Sequence, residues 1–292
     1  FKCSSIHKIM TLDGWKLAKD LTVDDKLELD NNSYFPDRYI EKNGVIIDEK
    51  MGKLLGLLVS EGTNTNRNKI EFVSTDKSLI DDIISQFDFD WKIYTRKAMH
   101  DSRGCDCKES YYIQYNNTKL RTTLYELGLD YVTSHKKEIP WCILQSPRSV
   151  VIEFLKGLYE GDGSYFKYEH NGKKNIGITY YSVSEELIND IQILLLKFNI
   201  SSCKTPKKSK LSPNIQWQLA CRAKNALDLY YLLDLHKFDD LIEGASYLQR
   251  KPYIRKNGNR YIVQTTHSNK NIHIGTFDTI EECEQKFNEY WK

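Results

Sequence analysis

The apolar positions of this chain change period in the same order twice over. From Asp48 the sequence reads Glu-Lys-Met-Gly-Lys-Leu-Leu-Gly-Leu-Leu-Val-Ser-Glu-Gly62, a helix-length apolar run behind an N-cap candidate. A short alternating strand is expected around Ile70–Ser74, a helix over Lys77–Phe87, strands near Trp91–Lys97 and Tyr111–Asn116, and a helix over Thr118–Leu127. The order then starts again. Ser146-Pro147 reads as an N-cap with proline in the first turn, ahead of Val150-Val-Ile-Glu-Phe-Leu-Lys-Gly-Leu-Tyr-Glu-Gly-Asp-Gly163. A strand follows at Asn175–Ser182, a helix at Ser184–Phe198, strands near Ser202–Thr205 and Ile215–Ala220, and a helix at Lys224–Leu233. Lys119 and Tyr125 recur as Lys224 and Tyr230, at one offset of 105 residues. The expected fold class is α+β: a pseudo-twofold pair of αββαββα repeats with β-saddles, allowing one poorly marked strand after each opening helix. Repeat one covers 48–134, and a linker plus repeat two covers 135–240. A β-rich segment, 1–47, precedes them, and a linker with a small ββ(β)α domain, 241–292, follows.

Both opening helices end in an acid followed by glycine, Glu61-Gly62 and Asp162-Gly163. Glycine past a helix end is an ordinary stop signal, but a carboxylate there meets the negative end of the helix dipole. Gly56 and Ser60 in one helix, and Gly157 and Gly161 in the other, form smooth stripes at a spacing of four. Helices packed through those stripes would bring Glu61 and Asp162 together. Two carboxylates at two dipole ends repel unless a cation lies between them, and hard oxygen ligands suit Mg²⁺. Two ordinary exposed acids at helix ends are the alternative; their recurrence at equivalent points of a repeat favours the functional reading.

Composition adds little until it is divided along the chain. The net charge is only +2, yet residues 201–270 carry 13 Lys and Arg against 5 Asp and Glu, leaving the remainder acidic. A basic block interleaved with Tyr, Trp, Gln and Asn fits a surface that meets phosphates, although a solvated face reads the same way. No apolar run approaches a membrane span. Seven cysteines, an odd count, with no signal-peptide layout at the start point to reduced thiols and an intracellular location. Cys105, Cys107 and His100 make at most half a metal site, because separate Cys-x-x-Cys pairs are missing. Phe1 in place of an initiating Met suggests a chain trimmed or cut from a longer one.

Leu54-Leu-Gly-Leu-Leu-Val-Ser-Glu-Gly62 and Leu155-Lys-Gly-Leu-Tyr-Glu-Gly-Asp-Gly163 resemble the two signatures of a monomeric LAGLIDADG homing endonuclease, and Ile139-Pro-Trp resembles the phrase before its second motif. The resemblance spans roughly residues 48–240. It implies a monomer that cuts both strands of one long double-stranded DNA site, leaving staggered ends. Mg²⁺ would be the cofactor, with Mn²⁺ able to substitute, held by the eighth motif residue of each copy, Glu61 and Asp162. The sixth, often Asp in the family, is Val59 and Glu160 here. The family also places basic residues near the scissile phosphates; Lys119 and Lys224, which open equivalent helices, are candidates, with solvated lysines as the competing reading. The saddles would lie in the major groove, where a β-surface can distinguish all four base pairs. Alternation offers Lys92, Tyr94 and Arg96, with Gln114 and Asn116, in one copy, and Gln216 and Gln218 in the other. Lys204, Lys207, Lys208 and Lys210 read as a loop that grips phosphates.

The flanks carry resemblances of their own. Asn257-Gly258 marks a hairpin turn, and Gly275-Thr-Phe-Asp-Thr279 with Glu281-Glu282 resembles the Apetala-two/ethylene-response DNA-binding domain. That family reads DNA with its strands, which singles out Arg255, Lys256, Arg260, Tyr261, Gln264 and His273; a basic mini-domain that only stabilises the chain is the alternative. Ser4-Ser-Ile-His7, Thr11-Leu-Asp-Gly-Trp15 and Ala18-Lys-Asp-Leu21 resemble part of an intein or Hint splicing fold, with His7 at the position that assists the first acyl shift. Phe1 and Tyr290-Trp-Lys292 do not supply the nucleophile and His-Asn pair that splicing uses. Two rivals to the endonuclease therefore stand: a catalytically silent nucleic-acid-binding protein or maturase, and a fragment of a protein-splicing intein.

Overall fold

The computed structural model describes residues 3–27, 34–63, 65–100, 106–170, 173–208, 215–240, 253–258, 260–267 and 270–290. Lys210, Cys105 and the linker residues 241–252 lie outside them. The fold is mixed α/β with antiparallel sheets.

In the N-terminal segment β1 (Lys8–Thr11) and β2 (Gly14–Leu17) form a hairpin, tied by a Lys16–Asp25 ion pair and a bridge from Thr11 to Leu27. A second hairpin, β3 (Ile40–Lys42) and β4 (Val45–Ile47), leads into helix α1 (Glu49–Ser60). Asp48 caps α1 as its sequence position suggested, accepting from Met51 N at 2.9 Å. Every residue from Met51 to Ser60 is buried, so this helix is a core element throughout.

After α1 come β5 (Lys69–Ser74), α2 (Lys77–Gln86), β6 (Lys92–Arg96), the short strands β7 (Met99–His100) and β8 (Asp106–Cys107), β9 (Ser110–Asn116) and α3 (Thr118–Glu126). The linker holds a helical turn, α4 (Trp141–Leu144), ahead of α5 (Arg148–Asp162). The N-cap of α5 is Pro147, not Ser146, whose hydroxyl instead donates to Cys142 O at 2.8 Å. Then follow β10 (Gly163–His170), β11 (Lys173–Ser182), α6 (Glu185–Lys197), β12 (Cys203–Lys208), β13 (Ile215–Arg222) and α7 (Lys224–Leu233). The second sheet runs β10-β11-β13-β12 and the first β5-β9-β6. In the first half a single bridge, Gly62 to Phe72, stands where the second half has the start of β10, Gly163 opposite Tyr180.

Register sorts each sheet into two faces. Ile70, Phe72 and Ile113, like Ile178, Tyr180, Leu219 and Cys221, belong to the buried core. Lys69, Glu71 and Val73, with Tyr112, Gln114 and Asn116 and with Lys92, Tyr94 and Arg96, therefore share the opposite face of the first sheet. The opposite face of the second carries Ser164 and Phe166; Gly177, Thr179 and Tyr181; Gln216, Gln218 and Arg222; and Thr205 and Lys207.

A separate small core, Val263, Cys283 and Phe287, unites β14 (Tyr253–Asn257), β15 (Arg260–His267) and β16 (Lys270–Phe277) with α8 (Ile280–Tyr290). Three antiparallel strands and a helix are the elements expected there.

Candidate functional site

Helices α1 and α5 pack against each other through glycine. A Cβ at Gly56 would lie 2.9 Å from Leu158 N and 3.1 Å from Gly157 Cα, and closer still to Phe154 O. A Cβ at Gly157 would press on Lys53 O and stand 3.1 Å from Leu57 N, and one at Gly52 would come within 2.8 Å of Val150 O. All these obstacles are backbone, so only glycine permits the approach. At the C-terminal end of the pair a Cβ at Gly161 would meet Ser60 Cβ at 2.8 Å and Glu61 Cγ at 3.1 Å. The contact thus runs down to the two acids, Glu61 as C-cap of α1 and Asp162 as the last residue of α5.

The charge of Asp162 is felt at Glu61. Burial raises the Glu61 carboxyl above its ordinary value, and the charge of Asp162 raises it further. Asp162 is exposed, yet the protein atoms packed around it raise its carboxyl too. In both cases Lys137 and Lys237 pull part of the shift back. Among the described residues neither carboxylate accepts a hydrogen bond.

The two lysines are placed alike. Lys137 donates to Ser60 O at 2.9 Å and Gly62 O at 3.4 Å, closing the end of α1. Lys237 donates to Glu160 O at 2.9 Å and Gly163 O at 3.0 Å, closing the end of α5. Each ammonium satisfies helix-end carbonyls while leaving the adjacent carboxylate free. Burial lowers Lys137 and pushes Lys237 down to about 8, against the pull of the nearby acids.

These are not the lysines singled out by the repeat offset. Lys224 is exposed and pairs with Asp228 at 2.6 Å on its own helix, and Lys119 is exposed in the first turn of α3. Lys137 lies 76 residues beyond Glu61 and Lys237 lies 75 beyond Asp162, each just past the closing helix of its half; the first falls in the segment read as linker and the second at the end of repeat two. Tyr180 was also missed. It is fully buried, and the charges of Asp162 and Glu61 act on its hydroxyl; its counterpart across the repeat, Phe72, has none.

Of the candidate readers, Lys92, Tyr94, Arg96, Gln114 and Asn116 share the exposed face of the first sheet, where Lys69 donates to Gln114 Oε1 at 2.9 Å. Gln216 and Lys207 share that of the second; Gln218 alternates to the same side but is buried, its Nε2 donating to Tyr181 OH at 2.7 Å. Lys204 is turned to the other side. It bonds Glu185 and Asn189 of α6 at 2.8 and 2.7 Å and covers the Trp217 ring, because strand alternation sends it toward the helices. Lys208 alternates with Lys207 and so leaves the exposed face as well. In the C-terminal sheet Arg255, Arg260 and Gln264 face away from α8, and His273 pairs with Gln264. Tyr261 packs on the small core, and Lys256 pairs with it from that same side. Arg260 binds Asp278 at 2.7 Å.

Two carboxylates that share a crowded site and accept no hydrogen bond fit a hard divalent cation, which prefers oxygen donors and keeps water of its own. Beyond this pair, no cluster of three or more His, Cys, Asp or Glu side chains suited to a metal occurs among the described residues. No helix among them is long and apolar enough to cross a membrane.

Comparison with known proteins gives relatives of diverse activity. The chain is 26% identical over 220 residues to the replicative DNA helicase DnaB of Synechocystis sp., covering 73% of this chain and 24% of that protein. It is 27% identical over 202 residues to a DNA gyrase subunit of Mycobacterium kansasii, covering 64% and 32%. It is 35% identical over 99 residues to a probable translation initiation factor IF-2 of Methanocaldococcus jannaschii, covering 32% and 8%. The chain thus spans at most a third of the length of these relatives. Among solved structures it resembles the homing endonuclease I-WcaI bound to its DNA recognition sequence, at 18% identity and a TM-score of 0.47, over 68% of this chain and 85% of that one. It also resembles I-DmoI in complex with DNA and Mn, at 13% identity and a TM-score of 0.43, over 64% and 97%. Residues 149–243, the second half of the helix pair with its sheet and closing lysine, match the family model of the LAGLIDADG-like domain.

Proposed function

We propose that this chain is a site-specific DNA endonuclease that hydrolyses both strands of a double-stranded target at the joint between its two halves. The observation that carries this is the end of the α1–α5 pair. Two crowded carboxylates, Glu61 and Asp162, are each flanked by a lysine held on helix carbonyls. Glu61 and Asp162 would hold Mg²⁺, with Mn²⁺ able to replace it; a bound cation supplies charge for the attacking and leaving oxygens and makes water a better nucleophile. Lys137 and Lys237 supply positive charge where a phosphate would approach, and Lys237, with its value near 8, can also exchange a proton near neutral pH. The exposed faces of the two sheets supply the readers, Lys92, Tyr94, Arg96, Gln114, Asn116 and Gln216, with Lys207 on phosphate. Arg255 and His273 of the C-terminal sheet extend the contact.

The relatives support a mobile origin. A helicase, a gyrase and an initiation factor share no activity, yet each resembles this chain over a minor part of its length. A stretch common to unrelated proteins is expected of an inserted element that travels between genes, and cutting an uninterrupted copy of a gene is how such an element would spread. The N-terminal hairpin, with His7 just ahead of it, would then be a remnant of the splicing part of such an insert.

The test is cleavage of a supercoiled plasmid bearing the uninterrupted allele, with Mg²⁺, by the wild-type chain and by Glu61→Gln and Asp162→Asn. Metal-dependent linearisation that both variants lose supports the reading. Tight binding without cutting in Mg²⁺ or Mn²⁺ replaces it with a DNA-binding protein.

A further inference from the structure

The lysines at the acids are each set against the opposite half of the molecule. Lys137 closes the end of α1, in the first half, but its own carbonyl accepts a hydrogen bond from Ser184 Oγ at 2.6 Å. Ser184 is the N-cap of α6, in the second half, and is 1% exposed. Two residues on, Ile139 N donates to Asp190 Oδ2 of the same helix at 3.3 Å. On the other side the relation is one of charge only. Lys237 closes the end of α5, and among the acids acting on it is Asp76, the N-cap of α2 in the first half. Asp76 and Ser184 hold equivalent places, each beside the lysine that serves the other half.

The two caps differ in what they offer. An N-cap needs only an acceptor, and Asp76 Oδ1 accepts from Ser78 N and Leu79 N at 2.9 and 3.3 Å. Ser184 Oγ likewise accepts from Leu187 N at 3.2 Å, but it also donates, and the donor fixes the backbone of Lys137. This bond is buried and links segments 47 residues apart. The segment it holds, Thr133–Pro140, has only a 3-10 turn of its own, at Ser134–Lys136, so it owes its path to such anchors.

We infer that Ser184 is a positioning residue for the Glu61 centre: by clamping the Lys137 carbonyl it sets where the Lys137 ammonium arrives, so the first half's centre is completed by the second half. The inference rests on the endonuclease reading above.

The experiment follows each strand separately. The full chain is given the supercoiled uninterrupted-allele plasmid and Mg²⁺, and nicking of the top and bottom strands is timed for wild type, Lys137→Met, Ser184→Ala, Ser184→Gly, Ser184→Thr and the Lys137→Met/Ser184→Gly pair. Glycine keeps most of the capping preference while removing the donor, so it separates positioning from folding. The expected result is a loss of about tenfold on one strand, the size of one lost hydrogen bond, with nicked circle accumulating. That strand should be the one slowed by Lys137→Met; the paired variant should be no slower than Lys137→Met alone, and threonine should restore wild-type rates. Equal slowing of both strands by Ser184→Gly, or a full additional loss in the pair, overturns the inference and leaves the endonuclease intact. A wild-type chain that binds the plasmid without cutting it overturns both.

Discussion

Replacing Gly56 by alanine sets two magnitudes of opposite sign against each other. In an isolated helix the change is favourable by about 1 kcal/mol, because glycine has the larger conformational entropy to lose. In this protein the new methyl would lie 2.9 Å from Leu158 N and 3.1 Å from Gly157 Cα, with Phe154 O nearer still. Ordinary carbon contacts need about 3.5 Å, and all three obstacles are backbone, so no rotamer change relieves them. The helices must part by roughly an ångström over a contact that is otherwise fully buried, and overpacking of this kind costs about 1–3 kcal/mol. Opening the pair also exposes edges of Leu54, Leu57 and Leu158, each at most 1% exposed. Exposing those edges costs roughly another 1 kcal/mol, which offsets the intrinsic helix gain and leaves a net destabilisation of about 1–3 kcal/mol, read as a lower urea midpoint at unchanged slope. Gly157→Ala should behave alike, since its methyl would press on Lys53 O. The double variant should cost less than the sum, because one separation relieves both clashes. Metal-dependent cleavage should fall further than stability does, as Glu61 and Asp162 ride on the displaced helix ends. A Gly56→Ala chain as stable as wild type, or more stable, would refute the close-packed pair and with it the meeting of the two acids.

Three further outcomes are expected. Arg121, 1% exposed, donates to Asn66 O, Leu129 O and Asp130 O at 3.1, 2.8 and 3.2 Å and stacks on Tyr131, so Arg121→Met should cost about 2–4 kcal/mol by leaving those carbonyls unpaired; a smaller loss in urea unfolding would show that water replaces it. Lys207→Ala should reduce the slope of log affinity against log salt for the target duplex by about 1, and Lys204→Ala should leave it alone, because only Lys207 is on the exposed face; equal slopes for the two would put the DNA elsewhere. Glu61 and Asp162 both hold protons more tightly than ordinary carboxylates, so protons displace the cation at a higher pH than usual. The Mg²⁺ concentration that gives half-maximal cleavage should therefore rise as pH falls, starting above the ordinary carboxylate range. A requirement that stays flat down to that range would mean the acids are not the cation's ligands.

Much of this organisation is carried by local pattern. The Asp48 cap, the two glycine stripes, the acids at both helix ends and the alternation of Lys92, Tyr94 and Arg96 follow from periodicities of 3.6 and 2, which any stretch of chain displays whatever its neighbours do. Tertiary structure decided what depends on neighbours. Lys204 and Lys207 are alike in sequence, and only the register of β12 on β13 sends one to the helices and the other to the open face. Lys119 and Lys224 occupy matching places in the repeat, yet the ends of α1 and α5 are reached by Lys137 and Lys237, from segments with no periodicity to mark them. Their importance lies in a fold that returns each segment to a helix end far earlier in the chain, 75 residues back for the Lys137 bond to Gly62 and 77 for the Lys237 bond to Glu160. The carbonyls left open at a helix terminus require partners, but the chain alone does not say which distant lysine will provide them.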